Sequence, residues 1–328
     1  MTFRSFRFLL PIVCVAASLA FPSCSGEKFK RAEGMIWNTE YHITYQSDKD
    51  LGDSIIAVLN SVDRSLNVFD STSLVSRVNL ADTIIIDSHF KTVYNGSRTA
   101  NRVSKGAFDP TISPLITAWG FGKGHLPTAD TLHIDEILKY TGITKTRLQG
   151  DTLIKRDPRI NFNFSAIAKG YGCDAVAAMF KRNRVSNYLV EIGGEIAMAG
   201  ISPSNEQWKV SIDRPILSDS ISHDSQAVIL ITDAGLATSG NYRNFRQSGD
   251  STYGHTISPA TGRPVATDVI SATVIAPTAM MADAFATACM AAGSEMAKKM
   301  ITDQKYEALL ILADSTVWYT PALKQFME

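Results

Sequence analysis

The apolar runs of this chain come in neighbouring pairs. "TRLQGDTLIKRD" (146–157) reads as a hairpin turning at Gly150–Asp151, and "ALLILADSTVWY" (308–319) as a closing hairpin. "MIWNTEYHITYQ" (35–46) reads as one strand, and "TIIID" (83–87), "NYLVEIGGEIAMAG" (187–200), "WKVSID" (208–213), "AVILITDAG" (227–235) and "VISATVIAP" (269–277) are further β-forming runs. Helical spacing lies between them. Leu51, Ile55, Leu59, Val62 and Leu66 recur at steps of three and four. Phe90, Val93, Tyr94 and Val103 mark a second helix stopped by Gly106; 166–183 and "AMMADAFATACMAAG" (279–293) are two more. Paired strands with helices interspersed, and no strict β–α alternation, predict an α+β fold: mixed, largely antiparallel sheets packed with helices. With no linker rich in Pro, Gly or Ser, 35–328 reads as a single domain with two lobes.

The first residues are of another kind. Arg4 and Arg7 precede an apolar run from Phe8 to Phe21 and then Ser23-Cys24-Ser25-Gly26. That is the layout of a signal peptide of lipoprotein type (1–23), with Cys24 as the lipidated first residue of the mature protein and 24–34 as a tether. Phe21-Pro22-Ser23 stands where such a box has Leu-small-small, and a plain secretory signal with an incidental cysteine is the alternative. The expected location is a membrane-anchored lipoprotein on the extracytoplasmic, periplasmic side. Of four cysteines, Cys173 and Cys289 fall among alanines in helices, which suits buried thiols better than a disulfide. Lys+Arg and Asp+Glu balance at 32 each, against the basic excess of a nucleic-acid binder.

"FSAIAKGYGCD" (164–174) sets Lys169 beside Gly170 and Gly172 at a helix start. Free amides and the helix dipole make such an end an anion site, and the glycines would let a diphosphate come close; a solvated lysine on a glycine-packed helix is the competing reading. In "MMADAFATA", Asp283 and Thr287 stand four apart on one face of an alanine-rich helix and could hold a hard cation through oxygen. Alternatively, Asp283 complements the dipole and Thr287 bonds back along the helix. His255, in the turn-rich "YGHTISPATGRP", is either structural or a general base. Trp119 and Phe121, framed by glycines, form a stacking platform for a flat ring.

Taken together, "GAFDPTISPL…WGFG", "NFSAIAKGYGCD", "YLVEIGGEI", "ATSGNYRNF", "HTISPATGRP" and "MADAFATA" resemble the ApbE family of FAD:protein FMN transferases, in the family's order and across nearly all of the mature chain. The resemblance implies a T-fold-related architecture and Mg²⁺-dependent transfer of FMN from FAD to a threonine of an acceptor flavoprotein, with release of AMP. The implied acceptor is a Rnf- or Nqr-type subunit or another exported flavoprotein. It implies FAD contacts at Trp37, Phe69, Trp119, Gly120, Phe121, Asn163, Lys169 and His255, with Lys169 and His255 catalytic. The implied Mg²⁺ ligands are the carbonyl of Ala166, Asp283, Thr287 and the backbone of Met280. Three positions depart from the family pattern: Trp37-Asn38-Thr39 replaces Met-Gly-Thr, and Asn163 and Ser258 each replace an Asp. A metal-dependent FAD pyrophosphatase and a non-catalytic FAD-storage lipoprotein would use the same pocket.

Overall fold

The computed structural model describes residues 28–120, 131–213, 225–240, 245–248, 251–254, 256–265 and 267–327. It opens with β1 (Phe29–Ile36) and β2 (Thr39–Gln46), paired from Phe29↔Gln46 to Ile36↔Thr39. The two loop residues Trp37 and Asn38 have φ of 52° and 59°. Positive φ at both positions is the type I′ turn, whose twist matches that of paired strands. The stretch 35–46 is thus a turn between two strands and not one strand. β1 begins at Phe29, inside the stretch 24–34 assigned as a tether, so most of that stretch is folded.

Next come α1 (Gly52–Leu66), α2 (Leu74–Leu80), β3 (Thr83–Ile85), α3 (Ser88–Val103), α4 (Ser113–Ala118) and α5 (Thr131–Tyr140). The hairpin of β4 (Thr146–Gln149) and β5 (Thr152–Lys155) turns at Gly150 and Asp151, as the sequence predicts. Then follow α6 (Ala168–Arg182), β6 (Tyr188–Ile192), β7 (Glu195–Ala199), β8 (Trp208–Asp213), β9 (Ser225–Ile231) and β10 (Ala234–Gly240). The chain ends with β11 (Phe245–Ser248), β12 (Ser251–Gly254), β13 (Val269–Ala276), α7 (Ala279–Ala292), α8 (Ser294–Gln304), β14 (Glu307–Leu312) and β15 (Val317–Tyr319).

The main sheet runs β1-β2-β6-β7-β10-β13-β14-β15 and every neighbouring pair is antiparallel. The fold is α+β with antiparallel sheets, as the paired runs predict. One face of the sheet carries the β8–β9 hairpin: Trp208, Val210 and Ile229 pack against Ile196, Leu236 and Leu309. "AVILITDAG" therefore divides between two sheets, with Asp233 at φ 53° where it turns. On the other face, α1 and α6 cover β2 and β6 through Ile55, Leu59, Val176 and Phe180. α7 covers β13 through Phe285 and Ala288.

α7 is apolar on all sides because it is buried on all sides; Ala282, Ala284, Phe285, Ala286 and Ala288 are fully enclosed. α6 crosses it at backbone distance. A Cβ on Gly170 would lie 2.3 Å from the Ala279 carbonyl oxygen and 2.9 Å from the Asp283 Cβ. A Cβ on Gly172 would lie 2.4 Å from the Trp37 ring. These glycines make room for a helix and an indole, not for a ligand as their sequence context suggests. Cys173 and Cys289 are buried free thiols, as expected. No described helix is long and apolar enough to cross a membrane.

Gly170→Ala should therefore lower stability by about 1–3 kcal/mol, because the obstructing atoms are backbone and cannot rotate away. Denaturant unfolding at constant m-value is the measurement, and an unchanged midpoint would contradict the close crossing.

Candidate functional site

The segment that leads into α6 is pinned from below. Asn79 brackets Phe162, donating from Nδ2 to its carbonyl at 2.9 Å and accepting its N–H at Oδ1 at 2.7 Å. Lys155 Nζ donates to the carbonyls of Val78, Pro158 and Ile160 at 3.1, 2.9 and 3.0 Å. Phe162 and Phe164 are buried against Phe90, with ring centroids 5.7 and 5.1 Å away. The alternate residue, Asn163, faces the other way. Its Oδ1 accepts the Ser165 N–H at 2.9 Å, a local turn that shapes the approach to the helix.

α6 begins at Ala168, two residues later than the sequence suggests. In a helix continued back to Ala166, the Gly170 N–H would bond the Ala166 carbonyl. It donates instead to Asp283 Oδ2 at 3.1 Å. The Ala166 carbonyl is thereby left outside the helical ladder, and Ala166, Asn163, Lys169, Asp283 and Thr287 together line a cavity of about 460 Å³. A second cavity of about 570 Å³ is lined by Trp37, Asn38, Phe69 and Lys169 among others. Ser165 and Lys169 belong to both linings, so Lys169 marks where the two clefts meet. Met35 and Phe69, 66% and 70% exposed, stand at the mouth of the second cleft.

Three carboxylates that sequence reasoning did not assign also belong to the site, of which Asp109, buried in the cavity wall, accepts from Thr111 Oγ1 at 2.6 Å and from the Ile143 N–H at 3.0 Å. Glu195 opens β7 and is almost fully buried; its Oε2 accepts from Lys169 Nζ at 2.5 Å. Asp174, on α6, accepts the Ala279 and Met280 N–H groups at 2.9 and 2.8 Å and so holds the first turn of α7. Glu195 had a signal: a charge at the head of the continuous apolar run "IAMA", directly after a Gly-Gly turn.

Burial pushes the Asp283 carboxyl up to about 6, against the pull of Lys169 and the Gly170 N–H. Burial, then the charge of Asp283, pushes Glu195 upward as well, opposed by Lys169. For Lys169 burial works downward, but Glu195 and Asp283 outweigh it and hold the ammonium above its ordinary value. Burial raises Asp174 to about 6 despite its two amide bonds. The cavity thus carries buried negative charge that a cation would relieve. Thr287 Oγ1, one turn along from Asp283, lies 3.3 Å from Ser239 Oγ. Carboxylate, hydroxyl and an unpartnered helix-start carbonyl form an all-oxygen donor set, which fits Mg²⁺. Among the described residues no three His, Cys, Asp or Glu side chains are grouped to hold a metal by themselves.

The ApbE family model matches residues 37–310. The chain belongs to the ApbE family. It is 32% identical to the FAD:protein FMN transferase of Vibrio cholerae serotype O1, over 92% of this chain and 93% of that protein. It is 30% identical to the Haemophilus influenzae protein of the same name, over 98% of each. Of solved structures, the flavin transferase ApbE from Vibrio cholerae superposes with a TM-score of 0.81 at 30% identity, covering 92% of this chain and 99% of that one. The apo flavinyl transferase ApbE of Pseudomonas stutzeri gives 0.80 at 26% identity, covering 92% and 99%. As a member of this family the chain is an enzyme, a transferase.

The remaining ApbE-type residues fall in several places. Met280 points its side chain at Gly96, on α3, while its N–H is held by Asp174. Trp119 Nε1 donates to the Gly262 carbonyl at 2.7 Å and the ring packs near Ile257, so the indole braces the 258–264 turn and is not among the residues lining either cleft. Gly120, at φ 79°, follows it. Phe121, His255 and Cys24 lie outside the described residues.

The clamp from Asp174 to α7 sets the position of Met280 and Asp283 together. Asp174→Ala should destabilise the protein by about 2 kcal/mol, within the range of a lost helix cap. Denaturant unfolding is the measurement, and an unchanged midpoint would show that the clamp holds nothing.

Proposed function

We propose that this chain transfers FMN from FAD to a threonine of an acceptor flavoprotein, releasing AMP. The observation that carries the reading is Lys169, an ammonium at the meeting point of two clefts, with the oxygens of Asp283, Thr287 and Ala166 beside it. A dinucleotide has that shape: two ring systems joined by a diphosphate. Its anionic middle would lie at Lys169 and at the start of α6, where the dipole also favours negative charge.

Asp283, Thr287 and the Ala166 carbonyl would hold Mg²⁺, which when bound neutralises charge on the diphosphate oxygens; Met280, which lines neither cleft, is not among these ligands. Lys169 adds to the same neutralisation with one N–H bond. The acceptor threonine Oγ forms a bond to the FMN-side phosphorus, and the bond from that phosphorus to the bridging oxygen breaks, so that AMP leaves with the electron pair. His255 is the residue assigned to take the hydroxyl proton. Trp37 and Phe69 offer the second cleft apolar surface for a ring.

The family resemblance suggests a Rnf- or Nqr-type subunit or another exported flavoprotein as acceptor, and the leader, which predicts a site outside the cytoplasm, agrees with an exported one. Incubation with FAD, Mg²⁺ and an acceptor domain should give protein-bound flavin and one AMP per adduct. Free FMN without adduct would mean that water is the acceptor, as in a pyrophosphatase; bound FAD left intact would mean storage. Asp283→Asn should keep the fold and abolish transfer at ordinary Mg²⁺, with partial rescue by excess metal or Mn²⁺. Full activity in this variant would return Asp283 to a helix-packing role. Cys24→Ser should leave the protein soluble or unprocessed, and a wild-type protein found in the soluble fraction with another first residue would refute the anchor.

A further inference from the structure

Glu195 is a buried carboxylate in the cavity wall for which the transfer chemistry has no assigned use. Its side chain is 4% exposed, whereas that of its partner Lys169 is 34% exposed. The pair is therefore lopsided: the acid is enclosed, and the ammonium keeps one side open to the cavity. Backbone geometry fixes the acid. Glu195 follows Gly193 and Gly194, whose φ of 62° and 99° turn β6 into β7. Cys173 Sγ, on α6, donates to the Glu195 carbonyl at 3.1 Å, which ties this strand start to the helix that carries Lys169. The ammonium has three N–H groups. One goes to Glu195 Oε2 at 2.5 Å and a second points to the Gly193 carbonyl at 3.5 Å. The third remains for an anion in the cavity.

We propose that Glu195 is a positioning residue: it anchors the Lys169 ammonium at the cavity floor, so that the lysine meets the diphosphate with one N–H from a fixed place and does not collapse onto it. The proposal rests on the reading of the site as one for a diphosphate ligand. A carboxylate beside an anion site weakens ground-state binding, since it repels the ligand and shares the lysine. That is tolerable if the anchored ammonium interacts better with the charge that grows on the departing phosphate than with the resting diphosphate. An interaction stronger in the transition state raises turnover, whereas one equally strong in both only lowers KM. Removing the charge of Glu195 should therefore move binding and turnover in opposite directions, an outcome that loss of packing does not produce.

The test compares wild type, Glu195→Gln and Glu195→Asp in the full-length protein, with ADP as the diphosphate probe. Calorimetry gives the ADP Kd with and without Mg²⁺, transfer assays give kcat and KM for FAD, and thermal unfolding checks the fold. Glu195→Gln should bind ADP roughly 3- to 10-fold more tightly, the size expected for one like charge removed at partly screened distance, while kcat falls about 10-fold or more and KM falls with it. Glu195→Asp, which keeps the charge but shortens the reach, should leave the ADP Kd near wild type and lower kcat. Unchanged kcat in both variants, or weaker ADP binding by a folded Glu195→Gln protein, would overturn the proposal. Should Glu195→Gln not fold, the Asp variant decides by the same kcat and Kd criteria. Should wild type yield no flavin adduct, the transfer reading fails, and the calorimetric comparison alone still decides for or against Glu195.

Discussion

One contact organises the rest: the Gly170 N–H on Asp283 Oδ2. A carboxylate enclosed in an alanine helix is destabilising by several kcal/mol unless something answers its charge. Here the answer is a backbone amide from the helix that crosses it, and only a glycine lets that amide come close enough. The same bond takes the Gly170 N–H away from Ala166, so the helix starts late and the Ala166 carbonyl stays out of its ladder. One hydrogen bond thus places two metal-type oxygens on one wall. Asp174 returns the contact from α6 to the amides of α7, so the two helices hold each other's polar groups.

The charge balance of the cavity follows from that crossing. Asp283 and Glu195 are both raised by burial, and Lys169 alone cannot satisfy both. The excess negative charge is a standing attraction for a divalent cation, while the open side of Lys169 and the start of α6 attract an anion. Cation and anion are drawn to adjacent places, and each relieves the charge that the other would leave unpaired. Under the proposed function, metal and diphosphate binding would be coupled through this charge balance, and the coupling would be reciprocal by thermodynamic necessity.

Much of this was legible in the sequence. The antiparallel class followed from paired β runs, and Asp283 with Thr287 from helical spacing in an apolar helix. The role of Gly170 and Gly172 was not legible, because a glycine that admits a ligand and one that admits a neighbouring helix look alike until the neighbour is known. The Trp37-Asn38 turn was missed because neither residue is the glycine that usually marks positive φ. Glu195 was passed over because it heads an apolar strand run; its partner is 26 residues away in sequence and meets it only across the β6–β7 hairpin and α6. Long-range pairs of this kind carry no local period.

The three departures from the ApbE pattern share a physical logic. Asn38 stands where the family has glycine, at φ 59°, and asparagine is among the side chains that best tolerate that region. Asn163 replaces an aspartate, yet its Oδ1 makes the local turn to the Ser165 N–H that a carboxylate oxygen would make. Ser258 replaces another, and its Oγ accepts the Thr261 N–H at 3.3 Å within a turn already closed by the Gly262 N–H on the Ser258 carbonyl at 2.8 Å. In each case the backbone task is kept, and at two of the three a charge is removed. An amide or hydroxyl can shape a turn as an aspartate does, but it adds nothing to the field around a cation. The carboxylates in the wall of this cavity are Asp109, Glu195 and Asp283, and of these it is Glu195 and Asp283 whose charge acts on Lys169.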